Sequence, residues 1–172
     1  MRTFFLILCC IFFTATVHAA CNSNMPASTP DSQLIDNGNG TVTDSKTGLM
    51  WKQCLEGLSG IDCVTGTATN FTWQQALQQP EVVNANSFAG YTDWRLPNIR
   101  ELRSIVEEQC FNPAINATRF PNTPPYSFVW SGSPTAGEYS DSAWIVGFGY
   151  GYPDPYYGRA YESAVRLVRN AQ

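Results

Sequence analysis

Six cysteines occur in the chain, and their positions limit what it can fold into more than any other feature. Cys9 and Cys10 lie inside an apolar stretch, Phe4 to Val17, that follows Arg2 and ends in Val17-His18-Ala19. A positive start, an apolar middle and a small-residue end read as an export signal. Residues 1–19 are therefore expected to be removed, with cleavage after Ala20 as the alternative. The stretch is short for a membrane span. Four cysteines then remain: Cys21, Cys54, Cys63 and Cys110. An even count in an exported chain points to two disulfides, and four cysteines allow three connectivities. Cys54 and Cys63 flank a Gly-containing loop and make the local pair, which leaves Cys21 to reach Cys110. Tight Cys pairs at zinc-finger spacing are missing, so no metal is expected.

Cleavage removes two further residues that matter. Loss of Arg2 takes the formal net charge from −4 to −5, and His18 is the only histidine. A chain without histidine cannot build a Ser-His-Asp triad, a Cys-His pair or a His-ligated zinc. An acidic chain is also a poor partner for phosphate backbones, which argues against nucleic acid. The 153 residues left of 172 suffice for one domain with a single core. Residues 20–33 are polar and Pro-containing and read as an extended lead-in; residues 34–172 form the domain.

Within it, Asn37-Gly38 and Asn39-Gly40 stand between Leu34-Ile35 and Thr41-Val42-Thr43, a hairpin signal, because Asn-Gly tolerates the positive φ of a tight turn. Glycines at the would-be ligand positions set aside an EF-hand reading. A second turn, Lys46-Thr47-Gly48, leads into Leu49-Met50-Trp51, a buried strand. Thr72 caps a helix expected to run from Trp73 to about Gln79, where Pro80 would end it, with Trp73, Ala76 and Leu77 facing the core. Residues 111–127 read as an ordered, proline-rich loop. Phe128-Val129-Trp130 is expected as a strand leading to a turn at residues 131–134, and residues 143–148 as another strand. Residues 149–163 read as an aromatic loop. The closing Ala164 to Arg169 alternates, which predicts Val165 and Leu167 inside and two arginines outside.

The clearest helix start lies at Pro97-Asn98. Asn98 can accept a bond from a free backbone N–H and Glu101 can complete a capping box. Ile99, Leu102, Ile105 and Val106 then share a face, predicting a helix that reaches towards Cys110. Asp93, Trp94 and Arg95 precede it; Arg95 is expected to pair with a carboxylate in the core, and Trp94 and Ile105 to pack there. The whole pattern predicts an α+β domain with an antiparallel sheet, two helices and long loops.

D-N-G-N-G-T-V-T-D-x-x-T-G-L-M-W, T-W-Q-Q-A, Y-T-D-W-R-L-P-N-x-x-E-L and V-R-L-V-R occur here in order. Together they resemble the exported bacterial domains named after the C-terminal domain of Legionella collagen-like protein. The resemblance implies a divergent C-type-lectin-like fold. W-R-L-P-N-x-x-E-L and V-R-L-V-R are also similar to segments of formylglycine-generating enzymes, which use that fold. The namesake domain is implicated in binding sulfated glycosaminoglycans. This chain has no Gly-X-Y repeat and is acidic, and the lectin calcium triplets are not present.

Three functions compete. The first is a non-catalytic surface-recognition or adhesion module, secreted, periplasmic or at the cell surface, with a glycan or surface protein as partner and no cofactor. Its candidate residues are Tyr150, Tyr152, Tyr156, Tyr157 and Arg159, because aromatic faces stack on sugar C–H surfaces. The second is a structural or assembly subunit. The third, an enzyme of formylglycine-generating type, needs reactive cysteines, whereas all four here are better used as disulfides; Asp93, Arg95 and Glu101 would be its remaining acid/base set.

Overall fold

A computed structural model describes residues 19–172, so the expected export signal lies, but for Ala19, outside the described residues. Two sheets carry the fold. The first is four-stranded and antiparallel, in the order Val168–Asn170, Leu49–Lys52, Thr41–Asp44, Leu34–Asp36. The second is five-stranded, in the order Tyr152–Gly158, Ser142–Gly147, Phe128–Pro134, Ser163–Ala164, Asn70–Phe71. Its pairings are antiparallel except one: Ala164 pairs parallel with Val129. Two helices, α1 (Trp73–Ala85) and α2 (Ile99–Arg103), complete an α+β architecture. No described helix is long and apolar enough to cross a membrane.

Side-chain alternation explains why both sheets are covered on both faces. Leu49 and Trp51 enter one apolar cluster with Leu102, Ile105 and Phe120, while Met50, between them, enters a second with Trp94 and Leu167. The same split recurs at Val129 against Trp130 and at Val146 against Ile145. A strand whose successive side chains point to opposite faces can join two cores in this way. The Asn-Gly hairpin forms as expected: Leu34 pairs with Asp44 and Asp36 with Val42, and Asp36 Oδ1 accepts a bond from the Gly38 N–H.

Both expected disulfides are present, Cys21–Cys110 and Cys54–Cys63. The first joins two short strands, Ala20–Cys21 and Cys110–Phe111. The lead-in is therefore built into the fold rather than trailing from it. Thr29 is buried, and the Glu107 carboxylate, 3% exposed, accepts five hydrogen bonds. They come from the Ser28 N–H and hydroxyl (2.9 and 3.1 Å), the Thr29 N–H and hydroxyl (2.8 and 2.9 Å) and the Gln109 N–H (3.0 Å). Burial alone would raise this carboxyl's pKa, but the donors from Ser28, Gln109 and Thr29 outweigh it and hold it below the usual glutamate value.

Several expectations fail for identifiable reasons. Helix α1 does not stop at Pro80 but runs to Ala85. A proline costs the helix one internal bond, and contacts made by its last turn offset that loss. Val83 is buried there, and the Asn84 amide both donates to Trp94 O (2.9 Å) and accepts from Trp94 N (2.8 Å). Ala76 and the half-buried Trp73 face the core as expected, but Leu77 is 43% exposed and Val83 takes the inward place further along. Helix α2 is little more than one turn and ends at Arg103, where the Ser104 hydroxyl donates to Glu101 O. Ile105 and Val106 are buried beyond its end, and Val106 bridges to Ile115. Residues 131–134 continue the strand instead of turning, and the middle of the aromatic loop is the strand Tyr152–Gly158.

The closing arginines are buried, at 1% exposure for Arg166 and 5% for Arg169. The Arg166 guanidinium donates to the carbonyls of Lys52 and Gln53 and to the Thr123 hydroxyl, and lies 4.7 Å from the Phe120 ring. Burial pushes its pKa down to about 9, which leaves it charged at neutral pH. Alternation predicted the wrong face because these arginines find their acceptors in the interior.

Candidate functional site

The signature Asp93-Trp94-Arg95 proves to be a clasp on the closing strand. Arg95 and Val168 exchange both backbone bonds at 2.9 Å, and Asp93 pairs with Arg169 (2.7 Å), whose guanidinium also stacks 3.8 Å from the Tyr91 ring. The bond from Arg169, with its charge, lowers the pKa of Asp93. Arg95 does find a carboxylate, the two guanidinium nitrogens each reaching Glu101 at 2.7 Å, but its side chain is 41% exposed rather than in the core. Asn98 caps α2 and Glu101 returns the bond to the Asn98 N–H (2.8 Å). Burial would raise the Glu101 pKa; the Arg95 and Asn98 donors bring it below its ordinary value. Trp94 is buried, with its indole N–H on Phe88 O. Every polar group of this set is thus engaged in holding the chain together.

The five candidate aromatic-loop residues do not come together at one point. Tyr150 and Tyr152 sit at the turn between the Ser142–Gly147 and Tyr152–Gly158 strands, 63% and 52% exposed. Tyr156 stacks edge-on against Tyr139 at 4.4 Å, well along the same strand. Tyr157 turns inward against Phe128, Trp130 and Tyr161. Arg159 covers the Trp73 ring at 4.4 Å and donates to Ser142 O. Tyr157 and Arg159 are packing residues; Tyr150, Tyr152 and Tyr156 face solvent. A bulge opposite Trp144 separates the two exposed groups by breaking the alternation between Asp154 and Tyr157.

A larger concavity begins where the Tyr150 group ends. It encloses about 520 Å³, within the range of small-ligand clefts, about 300–1,000 Å³. Tyr126 and Phe128 form one wall and are shared with a smaller notch reaching Tyr150 and Tyr152. Asn70, Asn122, Glu162 and Ser163 supply polar lining. Asn122 is anchored through its amide to Cys63 O (2.7 Å), so the second disulfide loop fixes that side. The Oγ atoms of Ser127 and Ser163, both lining the groove, are buried and have no hydrogen-bond partner among the described residues. Buried hydroxyls are normally satisfied, so two unpartnered ones behind one groove wall are unusual; the groups open to a ligand are the Asn70 and Asn122 amides and the Glu162 carboxylate.

The groove wall is held under strain. Tyr126 has φ of +58° and Asn122 +51°. Asparagine tolerates that region, but for an aromatic residue it is an outlier that costs of order 1–3 kcal/mol. Its hydroxyl accepts from the Asn112 amide (2.6 Å), and its ring lies against Gly149, where a Cβ would come within 2.9 Å of the Tyr126 ring. Tyr126 also meets Tyr150 edge-on at 6.0 Å, and this neighbouring phenol raises the Tyr150 pKa. The strained tyrosine could have been suspected from P-N-T-P-P-Y, where prolines stiffen the backbone around one aromatic. Asn70, Asn122 and Glu162 carried no such signal, since separate segments bring them together.

No group of three or more His, Cys, Asp or Glu that could hold a metal ion occurs among the described residues. No curated protein matches the chain. The family profile of the Lcl C-terminal domain matches residues 40–169, which takes in the second strand of the hairpin, the clasp, the groove and all but the last residue of the closing strand. The chain belongs to the Lcl C-terminal domain family.

Proposed function

We propose that this protein is a non-catalytic, exported surface-recognition module that binds saccharide in the Tyr126/Phe128 groove, on a C-type-lectin-like scaffold. One observation carries the reading: an exposed aromatic wall, with Tyr126 held in a strained conformation, faces polar lining from Asn70, Asn122 and Glu162. Aromatic rings offer their faces to sugar C–H bonds while amides and hydroxyls bond the sugar hydroxyls. Two disulfides suit an oxidising compartment outside the cytoplasm. They also engage all four cysteines among the described residues, which weighs against thiol chemistry.

The test is a glycan array probed with the mature protein and with a Tyr126→Ala, Asn122→Ala double variant, with and without calcium. Binding by the parent that the variant loses, while its melting curve remains cooperative, is the expected result. Signals no stronger for the parent than for the variant would defeat the proposal. Light scattering on the same samples separates ligand recognition from self-assembly through the exposed tyrosines.

A further inference from the structure

We infer that the groove takes non-anionic saccharides, neutral or amine-bearing, and rejects sulfated ones. The inference rests on the saccharide reading of the groove and concerns the ligand's charge. Among the described residues, Glu162 is the only charged one lining the groove; no lysine or arginine reaches it. Sulfate recognition depends on charge-assisted bonds from Arg or Lys, in which the cation repays the anion's lost hydration.

Most cations among the described residues are committed elsewhere. Lys52 pairs with Glu56 (2.7 Å), Arg95 with Glu101, Arg119 with Asp31 (3.6 Å) and Arg169 with Asp93. Arg159 covers Trp73 and Arg166 is enclosed by carbonyls. Lys46, Arg100 and Arg103 make no ion pair among the described residues, and none of them lines the groove. A sulfated chain entering here would meet a carboxylate and no counter-charge.

What the groove does supply suits uncharged hydroxyls. The amides of Asn70 and Asn122, both exposed, can donate and accept. The Glu162 carboxylate accepts from hydroxyls and attracts an ammonium. Because Glu162 is exposed, that attraction is modest, about two- to fivefold in affinity, in line with solvent-screened pairs.

Calorimetry with the full mature protein tests this using a glucosamine trimer, its N-acetylated counterpart and a heparin hexasaccharide, in low and physiological salt. The expected result is binding of the first two, the amine-bearing one tighter by that factor in low salt. Heparin should bind at least tenfold more weakly. Glu162→Gln should erase the preference for the amine, so that the two trimers bind alike, and a cooperative melting curve reports that the variant folds. Heparin bound as tightly as the trimers, and lost in Tyr126→Ala, would overturn the charge inference while leaving saccharide recognition standing. No binding by any of the three probes would overturn both.

Discussion

Glu107→Gln isolates the contact that holds the N-terminal segment. The carboxylate receives five donors, and an amide of the same shape offers one oxygen and one NH2. Whichever way it turns, the NH2 faces donors. The hydroxyls of Ser28 and Thr29 can rotate to accept, but the backbone N–H groups cannot, so at least one stays unsatisfied beside the buried Thr29. Bonds to a charged acceptor contribute about 1.5–3 kcal/mol, and an orphaned buried donor costs about 1–3 kcal/mol. A total near 3 kcal/mol corresponds to a fall in Tm of about 6–12 °C for a domain of this size. The Cys21–Cys110 bond keeps the segment tethered, so the loss appears as instability and not as detachment.

The same substitution has a pH signature. Glu107 has a folded pKa below its unfolded value, so the ionised form is the one the fold prefers. Its stabilisation is complete above the unfolded value, near pH 4.3, and disappears as pH falls through the folded value. Thermal melts of parent and variant from pH 7 to pH 3 should therefore show a wide gap that narrows towards the acid end. A gap that is constant across that range, or absent at pH 7, would refute the idea that five donors meet a charge here.

Other substitutions have equally definite outcomes. Tyr126→Gly removes an exposed ring and about 1–2 kcal/mol of left-handed strain, so its Tm should stay level or rise while saccharide binding is lost. Arg166→Ala abandons two carbonyls and the Thr123 hydroxyl in the interior and should cost about 3–5 kcal/mol in urea unfolding, with Arg166→Lys recovering only part. Glu101→Ala should destabilise more than Arg95→Ala, since Glu101 serves both the ion pair and the Asn98 cap, whereas Arg95 is substantially exposed. Replacing Cys21 and Cys110 by serine opens a loop of 89 residues and should lower stability by about 4–5 kcal/mol.

Local chemistry was readable from the sequence, and long-range compensation was not. Asn37-Gly38, the Thr72 and Asn98 caps and the Cys54–Cys63 loop each involve residues a few positions apart, and each forms as its residue types dictate. Pro80 misled because its cost is met by Asn84 holding Trp94, ten positions on. Alternation placed Arg166 outside because the acceptors that permit its burial belong to Lys52 and Gln53, more than a hundred positions earlier. The candidate site followed the same rule. Tyrosine density pointed to residues 149–163, which contribute Tyr150 and Tyr152 to one rim and Glu162 and Ser163 to the lining, but the groove also draws Asn70 and the Asn122–Tyr126 stretch from two distant segments.

The Val168–Asn170 strand pairs with Leu49–Trp51 and, through Val168, with Arg95. A ribosome delivers Trp51 long before it delivers these partners. Throughout synthesis the Leu49–Lys52 strand keeps one open edge and two apolar faces, a template for pairing with the wrong chain. The domain cannot acquire its architecture piece by piece from the front; its closing residues act as the keystone, and everything laid earlier needs shelter until they arrive.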